Sequence, residues 1–183
     1  MISHLNPGLS NTESRLDPSW EDLKGERGKT PMALFAGTYE NRIDRKGRVS
    51  LPADFRAELP AEGARVVYVY PSPRGGALEA CDRAFMQRMA ESLEQFDMFS
   101  DEEDELASII VSEARRVSID GEGRIVLPPE LIRFAGIDER VTFVGRGSRF
   151  QIWDPATFAQ NAAEARERAK GRTMRLLPPE GRE

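Results

Sequence analysis

The stretch NRIDRKGRVSLPADF at residues 41–55 is followed later in the chain by VSIDGEGRIVLPPEL at residues 117–131. Aligned on Ile43 and Ile119, the two stretches lie 76 positions apart and share isoleucine, aspartate, glycine, arginine, leucine and proline at matching places. Similarity at a fixed spacing is typical of a duplicated structural unit. The sequence therefore predicts that one supersecondary unit is built twice in this chain.

Each copy begins with a strand, a tight turn, a second short strand and a short helix. Aspartate at the first position and glycine at the fourth make residues 44–47 a type I turn. Val49 and Leu51 then alternate with polar residues, which indicates a strand with one buried face. Pro52 opens a short helix, because proline is tolerated in the first helical turn. Residues 120–123 predict the same turn in the second copy.

Two more strands and a helix follow in each copy. In the first copy the strand segments are ARVVYVY (64–70), which is β-branched and aromatic, and the short ALEAC (77–81). In the second copy they are RVTFVG (140–145) and RFQIW (149–153). Asp82 and Asp154 are predicted to cap the helices that follow. The last helix is expected to end near Gly171 and to carry a surface ion pair between Glu164 and Arg168.

Two helices are predicted to connect the copies. The apolar stripe of the first is Phe85, Met89, Leu93 and Phe96. The second is expected to start at Ser100, with Glu103 completing a capping box, and to bury Leu106, Ile109 and Ile110. Arg115 and Arg116 are placed at its C-terminal end.

These elements predict an α+β fold that is mainly β. A unit of roughly 50 residues with short strands buries little surface alone, so the two units are expected to pack face to face about a pseudo-twofold axis as one domain. The predicted organisation is a disordered N-terminal tail (1–32), a first repeat with connecting helices (33–110), a second repeat with its helix (111–171) and a flexible C-terminal tail (172–183).

Composition limits the functional classes. The chain has 183 residues, 39% hydrophobic and 31% charged, with a net charge of −5 and no apolar run long enough for a membrane span. His4 is the only histidine and Cys81 the only cysteine, which argues against histidine-based catalysis and His-rich metal sites. We expect Cys81 to be a small buried residue. The sequence predicts a cytoplasmic protein that is not an enzyme and needs no metal, cofactor or small-molecule substrate.

The first turn concentrates positive charge. Arg42, Arg45, Lys46 and Arg48 surround the single carboxylate of Asp44 within seven residues. An exposed loop with this charge can neutralise phosphates and present an arginine to a guanine edge. The alternative is a solvated turn braced by an aspartate–arginine pair. Both interpretations agree if the aspartate of each turn holds its arginine in place.

The pattern Asp-x-x-x-Arg, with glycine before the arginine and Leu-Pro three residues after it, resembles the SpoVT/AbrB swapped-hairpin DNA-binding module. Two copies, within FAGTYENRIDRKGRVSLPADFR and ARRVSIDGEGRIVLPPEL, resemble the MraZ family over about residues 33–170. The resemblance implies a transcriptional regulator in the nucleoid that represses the promoter of its own division and cell-wall gene cluster. It also implies a ring-shaped homo-oligomer that binds short repeats in double-stranded DNA. The candidate DNA-binding residues are Arg42, Asp44, Arg45, Lys46, Gly47, Arg48, Asp120, Gly123 and Arg124.

The two loops differ at their central positions. Gly121 and Glu122 stand where the first loop has Arg45 and Lys46. Glu122 disfavours close approach to phosphate, although it could accept a hydrogen bond from a cytosine amino group. We therefore predict that the first loop makes most of the DNA contact. The alternatives are an antitoxin or transition-state regulator with the same module, and an assembly protein that uses the motif only as a structural turn.

Overall fold

Antiparallel strands from both repeats form the framework of this protein. The computed structural model describes residues 33–60, 65–93 and 100–174. Within them the strands are β1 (Thr38–Arg42), β2 (Arg48–Ser50), β3 (Val66–Pro71), β4 (Ala77–Cys81), β5 (Arg115–Ser118), β6 (Arg124–Val126), β7 (Arg140–Gly145) and β8 (Arg149–Trp153). The helices are α1 (Ala53–Ala57), α2 (Arg83–Leu93), α3 (Asp101–Ala107), α4 (Pro129–Phe134) and α5 (Pro155–Ala169), and a π-helical turn (Ser108–Ser112) continues α3. The predicted α+β, mainly β class is confirmed.

The strand order has the symmetry that the duplication predicts. Six strands form one sheet in the order β1-β7-β8-β4-β3-β5, and β2 pairs with β6 in a separate ribbon. If each strand of the first repeat is exchanged for its counterpart in the second, the same order is read from the opposite edge. The two repeats are therefore related by a pseudo-twofold axis that passes between β4 and β8.

The pseudo-twofold arrangement of the two repeats is built by an exchange of strands. The first strand of each repeat leaves its own unit, so that β1 pairs with β7 and β5 pairs with β3. The strands on either side of the first turn share only the bridge between Ile43 and Val49. Through the exchange, β1 and β2 each pair along their full length with a strand of the other repeat. Within one repeat, the three-residue β2 is too short to pair with all of β1.

One continuous core lies between the inner face of the six-stranded sheet and the ribbon with its two short helices. Phe55 of α1 is fully buried at the centre of an aromatic cluster. Its ring lies 5.4 Å from Phe35, 5.3 Å from Tyr39, 6.5 Å from Phe143 and 5.0 Å from Phe150. Because these rings come from both repeats, the ribbon that carries the two turns is anchored to the sheet from both sides.

Local predictions for the helix ends are largely confirmed. The Asp82 carboxylate accepts from the Phe85 amide at 2.7 Å, and that of Asp154 accepts from the Thr157 amide at 2.8 Å. Gly171 follows α5 with a positive φ of 74°. The pair between Glu164 and Arg168 is present at 3.1 Å, and Cys81 is fully buried. Phe96, the side chain of Glu103, the tail 1–32 and residues 175–183 lie outside the described part of the chain.

The second connecting helix ends earlier than predicted. Arg115 and Arg116 belong to β5 and not to the end of a helix, because β3 offers a free edge and Val69 pairs with Arg115. The helix changes to π geometry at Ser108 and stops at Ser112. The expected buried side, formed by Leu106, Ile109 and Ile110, is only half-buried.

Candidate nucleic-acid interface

The two Asp-x-x-x-Arg loops lie at opposite ends of the β2–β6 ribbon. The register pairs Arg48 with Val126 and Ser50 with Arg124. The backbones of the two motif arginines are therefore offset by two residues, or about 7 Å along the strand direction. The ribbon presents both loops as one short unit.

Each loop is tied to the opposite repeat through its glycine. The carbonyl oxygen of Gly47 accepts from the amide of Leu127 at 2.8 Å, and that of Gly123 accepts from the amide of Leu51 at 3.0 Å. Gly47 and Gly123 have φ angles of 78° and 77°, which other L-residues adopt at a cost. This explains why both copies of the turn end in glycine.

Asp44 organises the first loop. Its carbonyl oxygen accepts from the Gly47 amide at 2.9 Å, which closes the turn. One carboxylate oxygen accepts from the amides of Lys46 and Arg48, both at 2.9 Å. The other accepts from Nε of Arg48 at 2.7 Å and lies 2.7 Å from its Nη2. The carboxylate thus folds the loop and fixes the guanidinium at once.

Asp120 performs the same task in the second loop. One carboxylate oxygen accepts from the amides of Glu122 and Arg124 at 2.9 Å. The other accepts from Nε of Arg124 at 2.9 Å, and the Gly123 amide closes the turn at 3.0 Å. The prediction that each aspartate holds the arginine four residues later is confirmed in both copies.

Hydrogen bonds donated by the two loops favour the ionised form of both aspartates. The amide of Arg48, and next its guanidinium, hold the pKa of Asp44 below its ordinary value. The amide of Arg124, and to a lesser degree its side chain, do the same for the pKa of Asp120. A stable negative charge at the base of each loop keeps the arginine oriented and leaves part of its guanidinium free for a ligand.

The two motif arginines are not equally available. Nη1 of Arg124 lies 2.5 Å from a carboxylate oxygen of Glu122, so that Arg124 is held by two carboxylates. Its side chain is 32% exposed, whereas that of Arg48 is 44% exposed. The hydrogen bond that Arg124 donates to Asp120, together with the charges of Asp120 and Glu122, raises the pKa of Arg124. This second ion pair was not foreseen in the sequence, although the tight turn brings positions 122 and 124 together.

The remaining basic residues of the first loop are open to solvent. Arg42, Arg45 and Lys46 are all exposed. In the described part of the chain, no carboxylate lies within ion-pair distance of their side chains. The structure therefore places three cations without an ion-pair partner, together with Arg48, around the first loop. The turn of the second loop, residues 120–123, carries no basic side chain.

A cation that sequence reasoning did not assign lies beside the second loop. The guanidinium of Arg56, from α1 of the first repeat, packs on Gly123, where a Cβ atom would collide with it. Its Nε atom is buried without a hydrogen-bond partner in the described structure. The signal was available in the 76-residue spacing, because Arg56 is the counterpart of Ile132, which packs near Gly47.

In the described part of the chain, no three histidine, cysteine, aspartate or glutamate side chains are placed to hold a metal ion. None of the described helices has the length and apolar character needed to cross a membrane.

Comparisons with known proteins match the duplicated unit. The family model described as "MraZ protein, putative antitoxin-like" matches residues 34–70 and 110–177. A protein of Parvibaculum lavamentivorans named "Transcriptional regulator MraZ" is 41% identical over 157 residues, which cover 82% of this chain and 98% of that protein. Proteins of the same name from Gluconacetobacter diazotrophicus and Rickettsia bellii are 42% and 41% identical, covering 82% and 79% of this chain and 96% and 97% of their own.

Proposed function

Because this chain belongs to the MraZ family, we propose that it is a transcriptional regulator that binds double-stranded DNA through its Asp-x-x-x-Arg loops. The observation that carries the proposal is the pair of exposed loops in which Asp44 and Asp120 fix Arg48 and Arg124. A structural turn needs the aspartate and the glycine, but it has no need of an arginine whose side chain is 44% exposed, as that of Arg48 is. The chain then acts by binding DNA and not by catalysis.

The arginine geometry suits base recognition. Asp44 engages Nε and Nη2 of Arg48, which leaves Nη1 and the outer edge of the guanidinium for an acceptor. A guanine presents two such acceptors, O6 and N7, in the major groove. We assign Arg48 this role, and Arg42, Arg45 and Lys46 contacts to flanking phosphates, which position the loop without reading sequence.

The protein as a whole is acidic, with a net charge of −5. A single basic loop on such a protein binds DNA weakly, since a few phosphate contacts supply little affinity at physiological salt. We propose that several copies assemble into a ring and place their loops on successive DNA repeats, so that effective concentration multiplies the affinity. The target that the family suggests is the promoter of its own division and cell-wall gene cluster, with repression as the result and a cytoplasmic, nucleoid-associated location.

The proposal is tested with a duplex taken from the DNA upstream of the gene. Wild-type protein should bind it and Arg48→Ala should lose at least about fivefold in affinity, because one good bidentate base contact contributes about 1–3 kcal/mol. Arg48→Lys should bind almost as weakly, since a lysine keeps the charge but lacks the planar fork. The control is Arg83→Ala, which removes an exposed arginine from the first turn of α2.

Gel shift or fluorescence anisotropy measures these affinities, with circular dichroism to confirm that each variant is folded. Unchanged binding by folded Arg48→Ala would contradict the proposal and favour an assembly protein in which the motif is only a turn. A fragment cut to one repeat should bind far more weakly than one with several repeats. Equal affinity for the two fragments would refute assembly on successive repeats.

A further inference from the structure

A cleft beside the first loop is built from both repeats. One side is the loop itself, and the other is the end of β6 with α4 of the second repeat. The residues that line it are Arg45, Lys46, Gly47, Leu127, Pro129, Ile132 and Arg133. The hydrogen bond of 2.8 Å from the Leu127 amide to the Gly47 carbonyl oxygen holds the two sides together. The cleft therefore exists only because the repeats exchange strands.

The rim of this cleft is cationic and its floor is apolar. Arg45, Lys46 and Arg133 are exposed, whereas Leu127 is buried and Ile132 is half-buried. Among the described residues, no carboxylate lies within ion-pair distance of any of the three cations. A DNA backbone complements both features of the cleft, because its negatively charged phosphates alternate with apolar deoxyribose carbons.

The second loop lacks the equivalent arrangement. The counterpart of Ile132 is Arg56, whose guanidinium already fills the space on Gly123. The counterpart of Arg133 is Ala57, which has no charge to offer. The helices α1 and α4 thus differ in charge in the same sense as the two loops. In both comparisons, the exposed positive charge without an ion-pair partner lies at the first loop.

We propose that Arg133 is a further DNA-contacting residue, which binds a phosphate of the backbone segment lying in this cleft beside Arg45 and Lys46. The inference rests on the proposed DNA-binding function and adds to it a residue outside the Asp-x-x-x-Arg motif. Arg133 comes from the second repeat and serves the loop of the first. It supplies affinity without sequence preference, as phosphate contacts do.

The test compares Arg133→Ala with Arg83→Ala and wild type on the duplex from upstream of the gene, at a series of salt concentrations. Each lost phosphate contact lowers the slope of log K against log salt by about 0.9 for each first loop engaged. For one engaged loop, the affinity ratio of wild type to Arg133→Ala should therefore shrink about 3.5-fold between about 50 and 200 mM salt. Arg83→Ala should keep the wild-type slope.

Three outcomes overturn the inference, and one supports it. A wild-type slope for folded Arg133→Ala, or a reduction no larger than that of Arg83→Ala, removes Arg133 from the interface. A slope change accompanied by altered preference among base-substituted duplexes shows a base contact and refutes the phosphate assignment. A reduced slope with unchanged preference supports the inference. Failure of the underlying function is recognised separately, because Arg48→Ala would then bind as well as wild type.

Discussion

Replacement of Gly47 by alanine tests whether the first loop depends on the opposite repeat. The change introduces two independent costs. Gly47 has φ of 78°, and an alanine in this left-handed region costs about 1–2 kcal/mol. Its Cβ would also lie 2.5 Å from the carbonyl oxygen of Leu127 and 3.2 Å from Cδ1 of Ile132. Relief of such a contact in packed surroundings costs about a further 1–3 kcal/mol.

The sum predicts that Gly47→Ala lowers the free energy of unfolding by about 2–5 kcal/mol. The steric part cannot be relieved cheaply, because the obstructing atom belongs to the backbone of Leu127, directly after β6, and β6 pairs with β2. The Leu127 amide is bonded to the Gly47 carbonyl oxygen as well. A movement that clears the new methyl group therefore strains the ribbon.

Two controls separate the costs. Gly136 has φ of 63° and no atom within 4 Å of an added Cβ, so Gly136→Ala should show the conformational cost alone, about 1–2 kcal/mol. Gly121 has open space and no positive φ, so Gly121→Ala should be within about 0.5 kcal/mol of wild type.

The assay is equilibrium unfolding by urea, at two protein concentrations because self-association adds to apparent stability. If Gly47→Ala loses no more stability than Gly136→Ala, the contact with Leu127 does not constrain the loop and the reasoning is refuted.

Two further predictions concern the inequality of the loops and the single thiol. The double substitution of Arg45 and Lys46 by alanine should reduce the salt slope of DNA binding by about two units for each engaged loop. Arg124→Ala should reduce it by much less, because Glu122 already neutralises Arg124. Equal reductions would contradict the inequality of the loops. Burial raises the pKa of the Cys81 thiol to about 12. A thiol reagent at about pH 8 should therefore modify folded protein far more slowly than protein unfolded in urea. Equal rates of modification would show that β4 opens readily.

Local chemistry accounts for what the sequence predicted well. The turns at residues 44–47 and 120–123 need only the preference of aspartate and glycine for particular positions, and the helix starts at Asp82 and Asp154 need only a capping side chain. The brace between Asp44 and Arg48 is also local, since four positions of a tight loop bring the two groups together. Such features depend on residues a few positions apart, so the local amino-acid sequence was sufficient to predict them.

Pairing between distant segments accounts for what was missed. The residues near β1 do not predict that it pairs with β7. The residues near Arg115 do not predict that β3 has a free edge with which this segment can pair. The Glu122–Arg124 pair and the packing of Arg56 on Gly123 were also missed. The first depends on side-chain rotamers, and the second on a helix that crosses to the other repeat.

The sequence by itself determined that one unit is written twice, that each copy has an Asp-x-x-x-Arg turn, and that the two turns differ in charge. Only the tertiary structure decided which strands the repeats exchange and in which register they pair. The physical reason is that backbone hydrogen bonds on the edges of β1 and β2 are satisfied by the other copy, whatever the side chains between them. That exchange brings Arg133 to the loop of the first repeat and Arg56 to the loop of the second, and so it completes each turn with a helix of the other repeat.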